Sequence, residues 1–155
     1  MAVFIVPFSG VAVTAAQDVF EIVTGATYRV AIREIRLSQY SDMGSAQSEM
    51  ISVTIHRGHT VAGSGGASVT PINTSPWTGI TASTTAARNN TVVASGGSPS
   101  LLLADGMNVM AGWYYNWEKD ERILVNQSER LVVRISAPAD ELTMNGTLVF
   151  EELTR

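Results

Sequence analysis

The chain has 155 residues, 45% hydrophobic and only 15% charged, with a net charge of −4 and no cysteine. That length suits a single domain with a real core, and the cysteine count excludes disulfides and thiolate chemistry. With Lys119 as its only lysine and no basic cluster, the chain lacks what counterion-releasing nucleic-acid binding needs.

The opening "MAVFIVPFSGVAV" carries no basic n-region, so it is not expected to be a signal peptide. It reads either as a first strand closed by Pro7 or as an arm, residues 1–13, laid across a neighbour's sheet edge. Phe4, Val6 and Pro7 would be contact residues of such an arm. In "TYRVAIREIRLSQY", Val30 and Ile32 share one face, whereas Ile35 and Leu37 fall on the other. A β-bulge near Arg33 and Glu34 restores the phase by inserting one residue. Arg29, Arg33 and Arg36, with Glu34 among them, read as a solvated strand edge. "SDMGSAQS" is a polar break, and "EMISVTIHRG" then alternates with Ile51, Val53 and Ile55 inward. His56 and His59 form H-x-x-H. On a strand that spacing sends the rings to opposite faces, and no third ligand accompanies them.

Residues 60–104 contain one charged residue, Arg88, among Gly, Ser, Thr, Ala and Asn. Charged residues in globular domains average about 25%, and a charge-poor surface is weakly protected against association. "SVTPI", "GITAST" and "NTVVA" are short strand-compatible pieces in this loop-rich region. Its Thr, Ser and Asn side chains satisfy backbone groups locally, and few charges need stripping of water. The expectation is that neighbouring molecules hold it, through Val69, Ile72, Trp77, Ile80, Arg88 and Val92; the alternative is that these residues cap one end of the chain's own sandwich. Trp77 is the hot-spot candidate.

In "GWYYNWE", Trp113, Tyr115 and Trp117 share one strand face, with Tyr114 opposite. One side is expected to be core and the other a subunit interface; the alternative is a sugar-stacking, lectin-like surface. "WEKDERI" reads as a surface charge cluster. "ILVNQSERLVV" is expected to form a hairpin through residues 126–129, and Asn145–Gly146 in "MNGT" a tight turn. "ERLVVRISAP" places Leu131, Val133 and Ile135 inward, and "GTLVFEEL" does the same with Leu148 and Phe150.

"GSGG" lacks the rest of any phosphate loop, and no G-x-S-x-G elbow or ordered calcium loop exists. No cofactor, metal or catalytic residue is therefore expected, and no apolar run has membrane-spanning length. The fold expected is an all-β, antiparallel jelly-roll-like sandwich of about eight strands in one domain, with an immunoglobulin-like sandwich second.

The segments "PFSGVAVTAAQDVFEIVTGA", "IREIRLSQYSD", "ISVTIHRG" and "ERLVVRISAPADELTMNGTLVFEE" resemble the jelly-roll head decoration, or cement, proteins of tailed bacteriophages. The resemblance implies a non-enzymatic virion protein on the outer capsid surface, made in the host cytoplasm. It also implies a homotrimer bridging major capsid protein subunits. The carbohydrate-binding alternative would place the chain on a head fibre or tail.

Overall fold

Alternating apolar side chains make antiparallel strands. In the computed structural model, which describes residues 2–40 and 49–153, these strands form two six-stranded sheets packed as a sandwich. In chain order they are β1 (Ala2–Val13), β2 (Gln17–Val23), β3 (Arg29–Gln39), β4 (Met50–Arg57), β5 (Ala67–Val69), β6 (Ile72–Asn73), β7 (Thr85–Asn90), β8 (Ser100–Asn108), β9 (Trp113–Asn116), β10 (Leu124–Val125), β11 (Arg130–Ile135) and β12 (Leu142–Leu153). A single 3-10 turn, Pro76–Thr78, follows β6. The first sheet runs β10-β3-β12-β1-β6, with β9 and β10 in tandem along one edge of β3. The second runs β5-β7-β2-β11-β4-β8.

The pairing is nested: β1 with β12, β2 with β11, β3 with β9, and β4 with β8. That is a long antiparallel ribbon rolled into two sheets, a jelly roll, and it uses eight strands. The immunoglobulin-like alternative is set aside by this strand order. Among the described residues the remaining strands are additions, and three of them, β5, β6 and β7, come from the charge-poor segment between β4 and β8. β7 pairs with β2, and β6 pairs with β1. The segment therefore folds back across one side of the roll and covers the edges that β1 and β2 would otherwise present to water.

The bulge expected in β3 is present. Val149 pairs with Glu34 and Phe150 with Ile32, which leaves Arg33 as the extra residue. Ile32 and Ile35 are accordingly both fully buried. Phe4 stacks on Phe150 at 5.7 Å between ring centres, and Phe8 meets Phe20 at 5.2 Å.

Of the two readings of the opening segment the first strand holds, although it runs on through Pro7 to Val13. Three expectations are corrected. Phe4 and Val6 lie in the core instead of on a contact surface. Residues 126–129 do turn, with Ser128 at φ 57, yet the flanking strands β10 and β11 belong to opposite sheets, so no hairpin forms. Asn145–Gly146 is not a turn but the middle of β12. There Asn145 faces a bulge at Ser9 and Gly10, and its Oδ1 accepts the Gly10 N–H at 3.1 Å. The "SDMGSAQS" break lies outside the described residues.

Gly146 is needed for space, since a Cβ there would strike the edge of the Phe8 ring and come 3.0 Å from Phe20 Cζ. Gly146→Ala should lower unfolding stability by about 1–3 kcal/mol through overpacking, read as a fall in urea midpoint at unchanged slope. Adding Phe8→Leu should restore part of the loss.

Candidate docking surface

The outward face of β2 and β11 is where the charge-poor segment lands. Phe20, Ile22, Leu131, Val133 and Ile135 point into the core, so Glu21, Arg130, Val132 and Arg134 point away from it. Asp18 joins them because Val19 is an extra residue in the pairing of β2 with β11. Across from it, Asn89 takes a left-handed φ of 56, a conformation that Asn tolerates, and its side chain accepts from Gln17 Nε2 at 3.2 Å.

These groups form two ion pairs, Arg134–Asp18 at 2.6 Å and Arg130–Glu21 at 2.8 Å. Each then holds backbone of the segment. Asp18 Oδ2 accepts the Ala94 N–H at 2.6 Å, and Arg134 donates to the Ala94 carbonyl at 2.8 Å. Glu21 Oε2 accepts the Gly63 N–H at 2.9 Å and Asn90 Nδ2 at 2.8 Å, while Arg130 donates to the His59 carbonyl at 3.0 Å. Farther along, Glu152 Oε1 accepts both the N–H and the hydroxyl of Thr84 at 2.7 Å. Residues 58–66 and 91–98 thus lie as a flap over the second sheet, bridged to each other at Val61–Ser95 and Ser64–Val92. Val132 beneath is fully buried. Gly63 allows this approach, because a Cβ there would sit 2.8 Å from both Asn90 Nδ2 and the Val92 carbonyl.

The segment's own chain anchors it, which replaces the expectation that neighbouring molecules keep it in place. Its single charge, Arg88, is half-buried and donates to the Pro7 carbonyl. That carbonyl points away from β12, so the N–H that Pro7 lacks would face the same open side and no ladder bond is lost. Apart from half-buried Arg88, what residues 60–104 show to water is uncharged, with Val61, Ile72, Trp77, Ile80, Val92 and Leu101 exposed.

The aromatic run divides differently from the sugar-stacking reading. As expected, one side of the run is core: Trp113 and Trp117 are buried, at 7% and 6% exposure, so neither is the interface or sugar-stacking candidate that it was on the sequence. With half-buried Tyr115 they form a ladder, Tyr115 to Trp117 at 4.5 Å between ring centres. Trp113 Nε1 donates to Asp105 on β8 at 2.9 Å, tying the two sheets together on the side opposite the flap-covered edges. That bond, then one from the Gly106 N–H, holds the Asp105 carboxyl below its usual range. Tyr114 is exposed, under the Arg36 guanidinium at 5.2 Å. Val69 is half-buried against the core.

His56 and His59 do not diverge as the strand spacing suggested. β4 ends at Arg57, Gly58 turns with φ 99, and the two rings come to 5.8 Å. Among the described residues no group of three or more His, Cys, Asp or Glu side chains is arranged to hold a metal. Burial first, then Arg134 and His59, depress the His56 imidazole below its ordinary value, with Asp18 opposing.

The buried acids and exposed Val61 and Leu101 were missed in the sequence. Arg130 and Arg134, four apart on one strand face, were the available signal that an acidic pair sits opposite.

Asp18→Ala should cost about 3–5 kcal/mol, since it strands Arg134 beside a buried surface. It should also speed hydrogen exchange at the Ala94 amide more than at the Ile55 amide. Because the folded His56 value is lowered, its contribution to stability is present above the ordinary histidine value of about 6.5 and is lost as pH falls from there through the folded value. Urea midpoints should decline as pH falls below about 6.5, and His56→Gln should flatten part of that slope.

No family model matches this chain, and no curated protein does. Among solved structures, it is similar to a chain of the "VP16-VP17 complex, a complex of the two major capsid proteins of bacteriophage P23-77", at 8% identity, over 97% of this chain and 98% of that one, with a TM-score of 0.23. A second similarity is to a chain in the "T13 IBDV viral particle", at 12% identity over 99% of this chain and 39% of that one, with a TM-score of 0.15. The jelly-roll assignment stands on the strand pairing of this chain itself.

Proposed function

We propose that this chain is a non-enzymatic structural protein of a virion, bound to the outer face of the capsid and bridging its major subunits. The observation that carries the reading is the pinned, uncharged flap. An exposed face without charges sheds water at little cost, and a face already fixed by buried carboxylates loses little further freedom on docking. The sequence resemblance to phage head decoration proteins supports the same role. Bridging would stabilise the shell by linkage, since a subunit that binds only the assembled lattice raises the free energy of taking it apart. The lectin-like alternative loses its platform, because Trp113 and Trp117 are turned into the protein.

Electron cryomicroscopy of the particle of the phage that carries this chain tests the proposal. Density for the jelly roll should sit on the outer shell with residues 58–66 and 91–98 against a capsid subunit. Its absence from the head would refute the reading. In co-sedimentation with shells stripped of the protein, the paired change Val61→Glu and Val92→Glu should weaken binding by about tenfold or more, because each charge must be desolvated unpaired. The far-ultraviolet circular dichroism should stay unchanged.

A further inference from the structure

The flap begins at a hinge. Gly58 follows β4 with φ 99, and its N–H donates to the Arg130 carbonyl at 2.9 Å. The next residue, His59, is buried at 9% exposure, yet neither its Nδ1 nor its Nε2 has a hydrogen-bond partner among the described residues. A neutral imidazole carries one N–H donor and one acceptor, so closing the flap leaves both unmet at a cost. Its ring lies 5.8 Å from that of His56, tilted by 48°. His56 is half-buried on the outward face of β4, between Val132 of β11 and Leu101 of β8.

The charges around this pair leave no acceptor over for an added proton. From β11 come Arg130, which donates to the His59 carbonyl, and Arg134, which acts on His56. From β2 come Asp18 and Glu21, each already shared between one of those arginines and an amide of the flap. The turn before β11 adds Glu129, which lines the same cleft as His59 and pairs with Arg57 at the end of β4. Residues 60–66 and 91–98 add no charge. Three arginines thus balance three carboxylates, and a proton on either ring is an uncompensated positive charge. Burial, then Arg134 and His59, already depress the His56 imidazole, with Asp18 opposing.

We infer that His56 and His59 form an acid-sensitive latch: proton uptake by the two rings releases residues 58–66 and 91–98 from the second sheet while the sandwich beneath stays folded. With the flap closed, two imidazolium rings would face each other and Arg134 out of reach of water. With it open, both are solvated, so the open form binds more protons and falling pH favours it. Release is local because polar contacts hold the flap to the sheet at His59, Gly63 and Ala94, whereas the sheets are joined by an apolar core. The bridges Val61–Ser95 and Ser64–Val92 let the two pieces lift together. The chain has two histidines, and both stand at this hinge, so no other side chain whose ordinary value lies near 6.5 competes for the response. Opening exchanges an uncharged exterior for the layer of Asp18, Glu21, Arg130 and Arg134. This inference does not depend on the virion reading.

Hydrogen exchange followed by NMR tests the latch, with each rate divided by the intrinsic chemical rate at that pH. Between about pH 7.5 and about pH 5.5, opening at the Gly63 and Ala94 amides should rise about tenfold or more, while the Ile55 amide stays protected. The imidazole resonances of His56 and His59 should titrate with the midpoint of that opening. His59→Leu, which keeps bulk at the hinge without an ionisable group, should hold the flap closed at about pH 5.5. His56→Gln should leave a smaller response. Flap opening that ignores pH, opening that persists in full in His59→Leu, or loss of Ile55 protection in step with the flap would each overturn the inference. So would ring titrations displaced from the opening midpoint, a result that needs no variant.

Discussion

The outer face of the second sheet depends on two carboxylates buried beneath the flap. Asp18 is fully buried and Glu21 nearly so, and each is shared between an arginine of β11 and backbone amides of the flap. A buried ion pair alone repays its desolvation poorly. Here the arginines leave lone pairs on both acids, and the Ala94 and Gly63 N–H groups take them as charge-assisted hydrogen bonds. The arginines donate onward to flap carbonyls. The flap needs no charge of its own because the sheet beneath supplies both signs.

That arrangement explains the odd composition of residues 60–104. A chain lying directly on another layer must approach closely, hence Gly63, and must satisfy its backbone with neighbours or short side chains, hence Asn90 and Thr84. Long charged side chains would hold it off. The two sides of the sandwich are therefore closed by different means. On one, β5, β6 and β7 extend the sheets past β1 and β2. On the other, Trp113, Tyr115 and Trp117 stack between β9 and β8, fastened by the indole bond to Asp105.

The flap has a rigid backing, residues 60–104 have, Arg88 apart, an uncharged exterior, and the turn that carries exposed Trp77 is braced by Asn73. A surface so poor in charge is weakly protected against association, which the net charge of −4, carried elsewhere, only partly opposes.

The sequence by itself determined β3, β4, β11 and the end of β12, with their inward faces and a bulge near Arg33 and Glu34, because each rests on the local period of two or on a phase break within one segment. β7 and β8, which lack that alternation, were not legible, and "GITAST" and "NTVVA" form no strand of their own. The sequence also determined that the middle of the chain is unlike the rest, since composition is local. Only the tertiary structure decided which strands share a sheet. Residues 126–129 and Asn145–Gly146 have the right turn chemistry for hairpins, yet pairing with distant strands overrode it: β12 runs straight through Asn145 because β1 and β3 flank it for its whole length. Burial of the aromatic run was hidden for a similar reason, as alternation says which rings share a face but not which face meets the other sheet. The anchoring of residues 60–104 was hidden most deeply, because Asp18, Glu21 and Arg134 are far from it in the chain and an ion pair leaves no periodic trace between its partners.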